Sequence, residues 1–282
     1  MMLDWWYSLI DFILPFQWAG HFFMKNALLA VLLVTPLFGI LGTMVVNNRM
    51  AFFSDSLGHG AFTGIALGAM LGGIKPVWAA TAFSILFAIT ITLIKNKSKA
   101  STDTIIGVFA STAVALGLVI MSYGGNFNKF SSYLIGDLLS ITPSEIELLF
   151  LVLITVTVLW LLIFNKVLLV SINQSLAASR GVNTLSSEIL FACAIAVVVT
   201  ITIQWVGLLI INSLLLLPAA SARNITVNVR QYHVASVAIA VFSGVAGLIL
   251  SYYFNTASGA TIVLVSAVLF FCTFFVKKYI HG

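Results

Sequence analysis

Leu148-Leu149-Phe150-Leu151-Val152-Leu153-Ile154-Thr155-Val156-Thr157-Val158-Leu159-Trp160-Leu161-Leu162-Ile163-Phe164 runs without a single charge. With its lead-in from Glu145 the segment spans 145–164, and crossing a bilayer takes roughly 20 apolar residues. Comparable runs fall near 23–46, 52–73, 77–94, 104–123, 188–204, 207–222, 231–254 and 260–279. Composition points the same way. The 282 residues are 61% hydrophobic and 7% charged, whereas a soluble domain carries about 25% charged residues. A chain so poor in charge cannot clothe a water-facing surface, so lipid must solvate it. Hydrocarbon forces backbone polar groups to pair within their own segment, which makes the spans helices. A membrane barrel would alternate in strands of about ten residues, and no such alternation is present. The expected fold is an all-α polytopic membrane protein with eight or nine transmembrane helices.

The pair of runs at 188–222 decides between eight and nine. Its polar break at Gln204-Trp205 reads as a loop or as a kink in one long helix. Lysine and arginine collect on the cytoplasmic side of membrane proteins. The clusters are Lys95, Lys97 and Lys99; Lys166 and Arg180; Arg223 and Arg230; and Lys277 and Lys278. All four share one side only if the N-terminus lies outside and the chain crosses twice between 188 and 222. That favours nine spans and leaves Lys75 and Lys129 outside. The net charge of +5 is thus a topology signal, and no nucleic-acid partner is expected.

Residues 1–22 lack the basic start of a signal peptide. Asp4 and Asp11 sit there among Trp5, Trp6, Tyr7, Phe12, Phe16 and Trp18, a mixture that suits the bilayer interface. The transmembrane domain is expected over 23–282. Cys193 and Cys272 fall within apolar runs and read as packing residues. Thr142-Pro143-Ser144-Glu145 has the form of a capping box with proline at the first helical position. Residues 124–144, containing Gly124, Gly125, Asn126 and Asp137, connect two spans. The stretch 165–187 is expected on the cytoplasmic side, with a short helix from Ser171 to Arg180 ended by Gly181. Ser186 or Ser187 would then cap the next span, with Glu188 in its first turn. That stretch reads either as a handle for a partner or as an ordinary connection.

Chemistry concentrates in Ser54-Asp55-Ser56-Leu57-Gly58-His59. Ionisable groups inside a bilayer are costly and usually functional. Asp55 and His59, four apart, project from nearly the same helix face, and a carboxylate with an imidazole is a partial ligand set for Zn²⁺ or Mn²⁺. Two ligands cannot close a tetrahedral site, but a twofold axis would present the pair twice. Gly60, Gly64, Gly68 and Gly72 form a stripe on the opposite side, suited to close helix packing, while Phe62, Thr63 and Ala66 would share the cavity face. Spacing alone leaves two other readings open: Asp55 as a cap with His59 in a buried hydrogen bond, or a proton-relaying pair in a secondary transporter. His21, His233 and His281 lie at span ends, and Asp103 at a helix start. Asp137 reads as a loop acid or a second intramembrane acid. Pro218 should kink or end its helix.

No GxxxxGK[ST] loop occurs, so ATP hydrolysis would need another polypeptide. An intramembrane enzyme is disfavoured, since neither HExxH nor GxSxG is present.

These segments together resemble the ABC-3 family of metal importer permeases. Ser54–Ala66 resembles its DxxxH signature. Thr102-Asp103-Thr104-Ile105-Ile106-Gly107 is similar to the start of its fourth span, and Gly136-Asp137-Leu138-Leu139 to its GDLL element. Gly207-Leu208-Leu209-Ile210-Ile211, running on to Leu217-Pro218-Ala219-Ala220-Ser221-Ala222-Arg223, resembles its GxLLIxxLLxxPAAxAR stretch. The matches run from about residue 38 to 265. The resemblance implies a permease, not an enzyme, of the type II importer-like class in the bacterial inner membrane. It implies a homodimer served by cytoplasmic ATPase subunits and by an extracytoplasmic metal-binding protein. It also implies that Asp55 and His59 contact zinc or manganese in transit, with no permanently bound cofactor, ATP held by the partner subunit, and the ATPase docking near 165–187. Manganese-type members commonly read SHAVLPG where this chain has Gly58-His59-Gly60-Ala61-Phe62-Thr63-Gly64, which places it nearer the zinc branch, with a manganese or iron importer permease as the alternative.

Overall fold

A computed structural model describes residues 3–14, 16–71, 75–124 and 136–280. Its helices, in chain order, are α1 (Asp4–Ile13), α2 (Phe22–Asn47), α3 (Phe53–Leu71), α4 (Pro76–Lys97), α5 (Thr102–Gly124), α6 (Pro143–Ile172), α7 (Gln174–Ser179), α8 (Thr184–Val206), α9 (Leu208–Ile225), α10 (Val229–Phe254) and α11 (Ser258–Ile280). Short 3₁₀ turns cover Gln17–Gly20 and Leu138–Ser140. Seven helices (α2, α4, α5, α6, α8, α10 and α11) are long and apolar enough to cross a membrane. Among the described residues the glycine-rich α3 (19 residues) and the short α9 (18 residues) bring the number to nine, within the eight or nine expected.

The break at 204–208 is a reversal rather than a kink. Gly207 adopts φ 87°, a left-handed backbone that side chains disfavour. The ends of α9 show the change of direction. Arg223, in its last turn, donates to Asn47 Oδ1 at the end of α2 (3.0 Å), and both line one concavity with Glu188, near the start of α8. α8 leaves that face and α9 returns to it. Arg49, Lys95 and Arg223 meet there, which marks it as cytoplasmic. At the opposite end of α2, His21 meets Tyr252 from the end of α10. Lys75, which precedes α4, lies at the opposite end of that helix from Lys95, as expected. Lys129, Gly72, Gly125, Asn126 and His281 lie outside the described residues.

Small residues let the central helices approach. A Cβ built on Gly42 of α2 would stand 2.0 Å from the Leu215 carbonyl oxygen of α9. One built on Gly39 would stand 2.8 Å from Val237 Cα of α10, and Ser236 Oγ donates to the Gly39 carbonyl (2.7 Å) across the same crossing. In a bilayer, where apolar burial no longer drives helix association, such contacts and interhelical hydrogen bonds hold a bundle together. Pro218 neither ends nor interrupts α9. The expected capping box at Thr142 is present, with the Thr142 N–H donating to Glu145 Oε2 (2.8 Å).

Several local expectations change. α6 runs on to Ile172, so the short cytoplasmic helix α7 begins only at Gln174. Asn183 caps α8 by accepting the Ser186 N–H (3.0 Å), in place of Ser186 or Ser187. Glu188 therefore sits one turn into the helix. Cys272 is exposed rather than packed, on a face of α11 that also shows Phe271 and Phe275.

α1 lies against the outer end of α2. Trp6 and Ile10 are buried, while Trp5, Phe12 and Ile13 are exposed. Trp6 Nε1 donates to the Lys25 carbonyl (2.9 Å) and Tyr7 Oη to Asn26 Oδ1 (2.8 Å). Lys25 is 3% exposed and its ammonium reaches Asp11 at 2.6 Å. Asp11→Asn should leave that ammonium half-partnered and weaken the latch by about 1–3 kcal/mol. Hydrogen exchange would read this as faster exchange confined to Asp4–Ile13.

Candidate functional site

α3 carries the candidate pair. Its glycine stripe faces α4, as its position on the helix predicts. A Cβ at Gly60 would meet the Phe87 ring at 2.9 Å, one at Gly64 the Ala80 Cα at 2.6 Å, and one at Gly68 the Ala79 Cβ at 2.6 Å. α8 and α9 close a second side. Leu208 packs over Gly58, and Ser54 Oγ donates to Asn212 Oδ1. α5 closes a third side, where Thr63 Oγ1 lies 2.5 Å from the Ala113 carbonyl oxygen and Gly117 abuts the Phe62 ring.

One side stays open. From Phe53 to Gly68 only Asp55, His59 and Leu67 escape burial. The Asp55 side chain is 38% exposed and that of His59 24%, with His59 Nε2 3.5 Å from Asp55 Oδ2. The two groups thus lie together at the surface of the chain. Phe62, Thr63 and Ala66, expected beside them facing a cavity, are buried. α5 packs on that face higher up, at Phe62 and Thr63, and leaves the first turns uncovered.

Among the described residues no group of three or more His, Cys, Asp or Glu is placed to share one ion. The remaining candidates have structural partners. His21 stacks on Phe23 (5.2 Å between ring centroids). His233 lies between the Val229 carbonyl (2.8 Å) and Thr43 Oγ1 (2.9 Å). Asp137 accepts the Leu139 N–H (3.1 Å) and is a loop acid. At the start of α5 the cap is Ser101 Oγ, which accepts the Thr104 N–H (3.2 Å), while Asp103 sits in the first turn. Gly136, φ 75°, touches Gly207, where a Cβ would stand 2.3 Å from the Gly207 nitrogen. The GDLL element is thereby seated at the α8–α9 reversal. No local signal could have placed these two glycines together, because 70 residues of intervening helix determine where they meet.

Among the described residues, seven helices long and apolar enough to cross a membrane, with α3 and α9 packed among them, define a multi-pass membrane protein. The ABC 3 transport family matches residues 21–277, and the chain belongs to that family. It is 33% identical over 246 residues to the high-affinity zinc uptake system membrane protein ZnuB of Buchnera aphidicola, covering 86% of this chain and 93% of that one. It is 29% identical over 252 residues to the manganese transport system membrane protein MntC of Listeria monocytogenes, covering 89% and 90%. The solved structure of PsaBC from Streptococcus pneumoniae in complex with Fab superposes with a TM-score of 0.81 at 27% identity, covering 97% of this chain and 98% of that one. The chain is accordingly a multi-pass protein of the bacterial plasma membrane.

Proposed function

We propose that the chain is the permease of an ATP-driven importer of divalent metal, zinc first, with Asp55 and His59 as the ligands in transit. The observation that carries the reading is the pair itself, two metal-ligating side chains left open on a stretch of α3, residues 53–68, that is otherwise buried apart from Leu67. A second copy across a twofold axis would bring two carboxylates and two imidazoles to one ion, a tetrahedral N₂O₂ set. The ion enters from the outer face, pauses there and leaves toward the cytoplasm. The homodimer is served by cytoplasmic ATPase subunits, α7 being their contact, and by an extracytoplasmic metal-binding protein.

Thr63 supports zinc over manganese. Its N–H donates to the His59 carbonyl in the regular helix, while its single hydroxyl proton goes to the nearer Ala113 carbonyl oxygen (2.5 Å). A proline at this position, as in the SHAVLPG form of the manganese-type members, would remove that donor and free a carbonyl ligand, the hard oxygen that manganese favours. With that carbonyl engaged, carboxylate and imidazole remain.

Uptake into proteoliposomes by the complex of permease, ATPase and binding protein tests the assignment. Zinc should accumulate only with ATP, and excess manganese should compete poorly. Zinc-insensitive manganese uptake would reassign the cargo. ATP-independent uptake by the permease alone would replace the importer with a secondary transporter or channel.

A further inference from the structure

The polar cluster at the cytoplasmic end of α4 has no part in metal ligation, yet it joins three elements. Lys95 Nζ lies 3.1 Å from Glu188 Oε2, and Asn96 Nδ2 donates to the same oxygen at 2.8 Å. Asn96 Oδ1 faces Gln174 Nε2 at 3.5 Å. One carboxylate of α8 thus holds two donors on the last turn of α4, and the first residue of α7 reaches that same turn. The ion pair is largely shielded, with side chains 20% and 17% exposed. Shielded pairs are screened less than surface ones, and a carboxylate shared by two donors fixes direction as well as distance.

This cluster connects to α3 in two ways. α4 carries α3 through backbone-close contacts at Gly64 and Gly68, so the two helices must shift together. Lys95 and Glu188 also line a small cavity with Asn48 and Met50, which belong to the connector between α2 and α3. In that connector Arg49 takes φ 54°, a conformation costly to a residue with a side chain. On the other side both residues border the cytoplasmic concavity of about 510 Å³, which leaves room for α7 to move. α7 packs mainly on α6 and α8, touches α4 through Gln174, and is exposed apart from Ala177.

We propose that Lys95, Asn96 and Glu188, reached by Gln174, form the joint that passes movement of α7 to α4 and α3 and so to Asp55 and His59. They are positioning residues for transport and touch no metal. The inference rests on the reading of the chain as an ATP-driven permease with α7 as its ATPase contact.

The test uses the full complex in proteoliposomes, measuring assembly, ATP hydrolysis and zinc uptake together. Glu188→Gln, which keeps shape and removes charge, should leave assembly and ATP hydrolysis near those of the unsubstituted complex. Zinc moved per ATP should fall by about tenfold, a size typical of coupling between sites. Lys95→Glu alone should uncouple in the same way, and Lys95→Glu with Glu188→Lys should recover coupling. Unchanged zinc per ATP in Glu188→Gln overturns the joint. So does failure of the swapped pair to recover coupling, or a parallel loss of assembly, hydrolysis and uptake that the swap leaves unrepaired. Absence of ATP-dependent uptake by the unsubstituted complex overturns the transport reading and the joint with it, whereas intact coupling in Glu188→Gln overturns the joint alone.

Discussion

Asp55→Asn should reduce zinc uptake to about one-hundredth or less, because even the outer-shell partners of a metal ion are worth about 10–100-fold and Asp55 is assigned as a direct ligand. The amide keeps the size of the side chain and one acceptor oxygen but loses the negative charge. His59→Ala should match it by removing the imidazole of the proposed pair. Both side chains lie on the open side of α3, so neither substitution leaves a cavity in the core. The complex with the ATPase should therefore assemble as before, which separates a transport defect from a folding defect. Uptake of radioactive zinc in cells carrying either substitution gives the answer, and unchanged uptake would remove both residues from the pathway.

Gly42→Ala should be among the more damaging methyl additions in the bundle. Its Cβ would lie 2.0 Å from the Leu215 carbonyl oxygen and 3.3 Å from Ala219 Cβ. The obstacle is backbone, so no rotamer change relieves it and α2 must separate from α9. Overpacking costs about 1–3 kcal/mol and sometimes more. For a chain of this size that corresponds to a fall in Tm of about 2–5 °C. Gly107→Ala is the control. Nothing lies within 4 Å of a Cβ there, and alanine is the better helix former, so Tm should hold or rise slightly. Equal melting of the two variants in detergent would refute the close α2–α9 crossing.

What was legible in the sequence followed from rules that act within a segment. The length of hydrocarbon to be crossed makes nine apolar runs read as helices one by one. The capping box at Thr142 is likewise written in four adjacent residues. Asn183 took the cap from Ser186 and Ser187 because several neighbouring polar residues could fill that role, and the start of the helix chose among them. The candidate pair was legible for a similar reason, since two ligand types four residues apart share a face in any α-helix.

The sequence by itself determined a lipid-solvated helical bundle, the spacing of Asp55 and His59, and the glycine stripe that packs behind them. Charge distribution favoured a reversal between 188 and 222, whereas tertiary structure alone decided that Gly207 is its pivot, that α5 covers Phe62 and Thr63 but not the turn below them, and that Lys25 meets Asp11. It also brought Glu188 to Lys95, 93 positions earlier in the chain. Periodicity places a residue on a face of its own helix, whereas only the packing of other helices determines whether that face meets lipid, a neighbour or an open path.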